Sequence, residues 1–102
     1  MIMESALLDV RPGQEDAFLA SFAEARPLIA VQPGFRSLEL RRCVDERAEG
    51  SSARFLLLVE WERLTDHTEG FRRSAEYEQW RALLHRYYDP FPLVEHFGES
   101  VL

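Results

Sequence analysis

The feature that most narrows the fold is FLLLVEW at residues 55–61, in which five consecutive apolar residues are followed by a Glu and a Trp. The run has strand length and strand composition, and successive side chains of a strand point to opposite faces. One parity is apolar throughout, while the other carries Leu56 and Leu58 before ending on Glu60. A strand of this kind expects cover on both faces. With 102 residues there is room for one domain, residues 1–102, and one core that buries roughly 65% of the extended surface. The second cover must therefore come from outside the chain.

The other segments supply the first cover. Residues 2–10, IMESALLDV, place Ile2, Ala6, Leu8 and Val10 on one face at period two, and Pro12-Gly13 closes the strand. Gln14, Glu15 and Asp16 then open a helix with acids at the positive end of its dipole. Phe18, Phe22, Ala25 and Ile29 form its apolar stripe. Pro27 removes a hydrogen bond to the Ala23 carbonyl, so the helix either kinks there or breaks and restarts. Pro33-Gly34 ends it. Residues 35–44 read as a second strand with Leu38, Leu40 and Val44 alternating against charges, and residues 45–52 as a polar hairpin loop. After the strand at 55–61, Asp66 and Glu69 have capping-box spacing, which predicts a helix start near His67. Ser74 is placed to cap a second, longer helix over 75–88, with Tyr77, Trp80, Leu84 and Tyr87 as its buried stripe. Asp89-Pro90 stops it, and residues 93–97 form a short last strand.

The order βαββαβ is the split, ferredoxin-like α+β arrangement. It expects a four-stranded antiparallel sheet with strands one and three central and two helices on one face. The arginine-laced second strand and the proline-flanked fourth suit the edges. The bare sheet face, apolar at its centre, is expected to be covered by an identical subunit, giving a homodimer packed sheet on sheet.

Composition excludes several classes. A net charge of −6 argues against nucleic acid or an anionic lipid surface as partner. No apolar run approaches the roughly 20 residues of a membrane span, and Glu4 and Asp9 interrupt the N-terminal segment that a leader peptide would need. Cys43 is the single cysteine, which points to a reducing, cytoplasmic setting and an inert thiol. No Gly-rich phosphate loop, nucleophile–base pair or Cys/His metal cluster is present, so no metal is expected.

The stretch VEWERLTDHTEGFRRSAEYEQWRALLHRYYDPFPLVEHF resembles the antibiotic biosynthesis monooxygenase (ABM) family of dimeric α+β barrels. Glu60-Trp61, the His six residues later, Ser74-x-x-Tyr77, and Val94-Glu95-His96-Phe97 carry the resemblance, and the Pro33-Gly34-Phe35 turn agrees with it. It implies a dimeric barrel and, for a catalytic member, cofactor-independent oxygenation of a small aromatic, polyketide-like or quinol substrate. Dioxygen would be co-substrate and no cofactor would be needed. The alternative is a dimer of the same fold that binds a small apolar or aromatic ligand without chemistry. The haem-degrading branch is disfavoured: Arg81 stands at its iron-ligating His, Ser5 or Ala6 at its Asn, and Phe71 at its Trp. Phe71 also replaces the second His of quinol-oxygenase-like members.

Such an oxygenase needs a base, an apolar cavity and donors for developing charge. His67 is the first candidate base, against the plainer reading of a structural His at a helix start. His96, on the last strand, faces either the cavity or the dimer seam. His85 falls across the helix from Tyr77 and Leu84 and is expected in solvent. Glu60, sharing a face with Leu56 and Leu58, would become basic if buried, or would pair with Arg63 or Arg81 at the strand end. Trp61, Phe71, Tyr77, Trp80, Tyr87 and Phe91 are core residues first, and all but Phe91 are candidate substrate contacts second. Arg72 and Arg81 flank them as candidate anion holders, with ion pairs to Glu76 or Glu78 as the plainer reading.

Overall fold

Strands β1 (Ile2–Val10) and β3 (Ala53–Trp61) pair antiparallel along their whole length, with Ile2 opposite Trp61 and Val10 opposite Ala53. They form the centre of the sheet in a computed structural model that describes residues 1–102. Strand β2 (Phe35–Arg42) joins the far side of β3, and β4 (Val94–Phe97) joins β1, giving the order β2-β3-β1-β4. Helices α1 (Glu15–Ala30) and α2 (Ala75–Leu84) complete the ferredoxin-like α+β fold expected from the sequence.

Each central strand is sealed on one face only. Ala6, Leu8 and Val10 of β1 and Phe55, Leu57, Val59 and Trp61 of β3 are buried beneath the helices. Helix α1 adds Phe18, Phe22, Ala25 and Ile29, and α2 adds Trp80 and Leu84. Each large side chain so buried contributes about 1.5–3 kcal/mol. The opposite face carries Leu7, Leu56 and Leu58 at its centre, with Leu7 49% exposed. Charged pairs border these leucines, Arg54 on Asp9 at 2.9 Å and Arg41 on Glu39 at 2.8 Å. The apolar parity of FLLLVEW thus faces the helices, and its Leu56–Leu58 parity lacks cover within the chain.

Helix α1 runs unbroken through Pro27, so the break and restart that the sequence offered does not occur. Pro27 and Ala23 are both exposed, so the carbonyl that loses its partner faces water. Phe22, Ala25 and Ile29 hold the inner face on either side.

Between β3 and α2 the chain departs from expectation. Asp66–Gly70 form a π-helical turn and Phe71–Arg73 a 3-10 turn, with no capping box. Asp66 Oδ2 accepts from the backbone N–H of Arg63 at 3.0 Å, upstream of it, and Glu69 turns outward to Arg73 at 2.8 Å. Ser74 does cap α2, accepting from the Tyr77 N–H at 3.2 Å. That helix stops at Leu84 rather than continuing to residue 88. A 3-10 turn, His85–Tyr87, follows, because the backbone is drawn to the end of β1: Arg11 N–H donates to Tyr87 O at 2.8 Å and Tyr88 bridges Val10. No helix is long and apolar enough to cross a membrane.

One turn fixes the π-helical segment against the sheet. Gly34 has φ +83°, and a Cβ there would overlap the Asp66 carboxylate. Gly34→Ala is therefore expected to cost about 2 kcal/mol, part from the left-handed backbone and part from the overlap. Urea unfolding should show Asp66→Ala recovering part of that loss in the double variant. An unchanged midpoint for Gly34→Ala would rule out this packing.

Candidate functional site

A cleft of about 330 Å³ opens between the helix-facing side of the sheet and the segment from His67 through α2. That is the low end of the range for small-molecule pockets. Its walls are mainly apolar, with Phe71, Trp80 and Leu57 among them; Phe91, expected in the core, instead stands exposed at its mouth with Leu93, because it follows the turn that ends at Pro90. The polar side chains on its wall include Glu4, His67, Arg72 and His85.

His67 is 3% exposed, although histidine at a helix start is ordinarily solvated. The π-helical turn directs it inward together with Phe71, and its ring stacks on the Trp61 indole at 5.5 Å and 15°. Its Nδ1 lies 2.7 Å from Nε2 of His96, so one ring donates to the other. Its Nε2 makes no hydrogen bond; the nearest partner is Glu4 Oε1, at 3.5 Å. Glu4 is itself buried on β1 and accepts from the Trp61 indole N–H at 2.9 Å. His96 stands on the edge strand directly opposite Glu4, and therefore on the helix-facing side.

The electrostatics follow from burial. Desolvation, followed by the like charges of Arg72 and of a protonated His96, pushes the His67 pKa down to about 3. Desolvation raises the Glu4 carboxyl against the opposing pull of Trp61 and Arg72. His96 is lowered too, by desolvation and then Arg72, but it is only half-buried. The three side chains do not converge on a common point. Two nitrogens bound to one zinc ion lie about 3.3 Å apart at tetrahedral geometry, whereas these are 2.7 Å apart and directed at each other.

The residues singled out from the sequence divide cleanly. His67, Phe71, Tyr77 and Trp80 line the cleft, Trp61 backs His67, and His96 meets His67 from the sheet edge. Three do not reach it. Glu60 faces the other side of the sheet and accepts from Ser37 Oγ at 2.9 Å, pairing with neither Arg63 nor Arg81. Arg81 is exposed on the outer side of α2, 3.5 Å from Glu78. Tyr87, displaced by the early end of α2, bonds Ser21 at 3.1 Å and packs on Phe18. The exclusion of His85 is also corrected. The 3-10 turn swings its ring into the cleft wall, 5.0 Å from Phe91 and 5.6 Å from Tyr88. Glu4, Arg72 and Tyr88 also stand on the wall. Glu4 had a signal of its own: an acid at the same parity as Ile2, Ala6, Leu8 and Val10, on the buried face of a central strand.

The family model of antibiotic biosynthesis monooxygenases matches residues 1–83. The uncharacterized protein YczJ of Bacillus subtilis is 48% identical over 99 residues, covering 97% of this chain and 99% of its own length. Among solved structures, a Bordetella bronchiseptica protein assigned to the antibiotic biosynthesis monooxygenases superposes with a TM-score of 0.85 at 34% identity, over 98% of this chain and 97% of that one. SnoaB of Streptomyces nogalater, described as a cofactor-independent oxygenase, superposes with a TM-score of 0.76 at 17% identity over 99% and 94%. At that identity the likeness to SnoaB is one of fold.

His67 makes stability depend on pH in a definite direction. Below pH 6.5 the unfolded chain binds a proton at this ring that the folded chain does not. Its stabilising contribution is thus full above about 6.5 and is lost as pH falls towards 3. Glu4 acts oppositely, its contribution being present below the unfolded carboxylate value of 4.5 and lost as pH rises through the raised folded value. Between pH 6.5 and 4.5, wild-type unfolding free energy should fall by roughly 1 kcal/mol per pH unit more than that of His67→Phe. Parallel slopes in denaturant titrations of the two proteins would show that His67 charges freely in the fold.

Proposed function

Because the chain belongs to the antibiotic biosynthesis monooxygenase family, we propose that it is a cofactor-independent monooxygenase acting on a small electron-rich aromatic, quinol or polyketide-like phenol bound beside His67. The observation that carries this reading is His67 itself. It is an uncharged imidazole in an apolar cleft, one nitrogen held by His96 and the other free of hydrogen bonds at the wall.

Nε2 takes a proton from the substrate hydroxyl or from an activated ring methylene, and Glu4 at 3.5 Å offsets the charge that develops on the ring. The substrate anion passes an electron to dioxygen, and the two radicals combine as a peroxide. For a methylene substrate, loss of water leaves a carbonyl that keeps one oxygen atom, and the second leaves with the two methylene hydrogens. Oxidation of the methylene thus supplies the electrons that reduce dioxygen. Phe71 and Trp80 exclude water from the anion, and the hydroxyls of Tyr77 and Tyr88 and the guanidinium of Arg72 are available donors to it. Haem does not suit this wall, since Arg81 at the iron-ligating position is exposed and a guanidinium does not ligate iron.

The uncovered sheet face supports a further part of the reading, a homodimer in which Leu7, Leu56 and Leu58 of two copies meet. Sedimentation of the wild type at micromolar concentration should give a dimer and Leu58→Arg a monomer. A monomeric wild type sinks the proposal.

Hydroquinone, anthrone or naphthol should draw down dissolved oxygen in the presence of the protein and a chelator. His67→Gln should lower kcat by about 10²-fold or more. Unchanged oxygen uptake in His67→Gln removes His67 as base. Saturable quenching of tryptophan fluorescence by these compounds without any uptake would instead favour a binding protein.

A further inference from the structure

We infer that His67 and His96 act as one unit, in which His67 takes the substrate proton at Nε2 and passes the proton on its Nδ1 to Nε2 of His96, which stores it until the departing oxygen needs it. This rests on the reading of His67 as base and adds a proton-storing residue to it.

Three observations lead there. The nitrogens are 2.7 Å apart, a full hydrogen bond between two imidazoles, and it joins the only buried His to one on the sheet edge. A base needs an unprotonated lone pair free at the cleft, and Nε2 of His67 is its one nitrogen without a hydrogen bond. Its other nitrogen must then carry the hydrogen and donate to His96. Finally, the two rings differ in their ability to keep charge. His67 lies against Trp61 and Phe71, where an imidazolium loses hydration, whereas half-buried His96 keeps water within reach.

The transfer balances. The substrate O–H or C–H bond breaks, an N–H bond forms at Nε2 of His67, its Nδ1–H bond breaks, and an N–H bond forms at Nε2 of His96. For a methylene substrate the peroxide O–O bond then breaks. The distal oxygen takes the Nε2–H proton of His67 and the proton from the remaining C–H bond, whose electron pair forms the carbonyl, and leaves as water while His96 returns its proton to Nδ1. The pair ends as it began, with no net proton released. The charged and titratable groups around the pair are Glu4 on β1, whose carboxylate favours the loaded pair, and Arg72 after the π-helical turn, which opposes it. Trp61 on β3 contributes a neutral indole that fixes Glu4.

The test has two arms. In the first, His96→Gln keeps a carbonyl that accepts from Nδ1 but cannot hold a proton. Its kcat should fall by about 10²-fold with KM roughly unchanged, the low-pH limb of the kcat profile should move, and added imidazole should restore part of the rate. Wild-type kcat and pH profile in His96→Gln, with His67→Gln inactive, overturn the relay and leave His67 as a lone base. In the second arm, the unmodified protein with ¹⁵N-labelled histidine is titrated by NMR. The proton should appear on His96 while His67 stays neutral, with a strongly downfield resonance for the shared hydrogen. Independent titration of the rings, or charge appearing first on His67, overturns the proposal. If no substrate is turned over by the wild type, the oxygenase reading fails, and the labelled titration still decides whether the pair shares one proton.

Discussion

The hydrogen bond from the Trp61 indole to Glu4 is the interaction on which the site depends. A carboxylate on the buried face of a central strand needs a partner, because an unpaired one costs several kcal/mol to desolvate. Trp61 lies at the end of the neighbouring strand with its N–H directed at Oε1, and the β1–β3 register brings the two strands' inner faces together. Once Trp61 is fixed in this way, its ring face becomes the platform on which His67 stacks. Glu4, reached across the sheet, is also the residue directly opposite His96. That bond thus supports the platform for His67, while the β1–β4 register sets His96 beside it.

The sequence made the architecture legible because periodicity reports burial. FLLLVEW, the α1 stripe and the strand order all came through, since each depends on many side chains that agree. The site was legible only where a residue's element was read correctly. His67 stood out by type and spacing, but the turn that buries it does not follow a helical period, and the expected capping box misread Asp66. Asp66 is occupied with Arg63 and packed against Gly34, a contact 32 positions away in the chain that no local pattern encodes. The same cause explains Tyr87 and His85. Both were placed on an α-helix that the hydrogen bond from Arg11 to the Tyr87 carbonyl ends early, rotating one ring away from the cleft and the other into it. Glu60 was assigned to the correct strand face, and that face turned out to be the one without the cleft.

The sheet thus separates two tasks that share its strands. Parity decides which: Glu4, Ala6 and Leu57 line the cleft, while Ser5, Leu58 and Glu60 lie on the opposite surface. A side chain can be exchanged on one face with little direct contact with the other, and the shared backbone still holds both in register. The segment from Pro90 to Leu93 is an exception. It borders the cleft on one side and the outer sheet surface near Leu7 and Leu56 on the other. Cover placed on the outer surface would bear on the cleft mouth through Phe91 and Leu93.

Burial that protects a reactive anion also weakens the base that makes it. In the proposed oxygenase, the apolar wall that would keep water from a substrate anion is also the wall that makes a charged His67 unfavourable. A base pushed down to about 3 is unsuited to holding a proton near neutrality, however well it is placed. Solvating His67 would restore its basicity and admit water to the cleft. The geometry offers another resolution, since basicity and placement need not belong to the same ring. With His96 at 2.7 Å, the buried nitrogen supplies position and the edge-strand ring supplies a site where positive charge is tolerated. A β-strand at the sheet edge suits the second role, because its side chains can face a buried partner and still approach solvent. A single histidine in the same cleft would have to choose between dryness and strength.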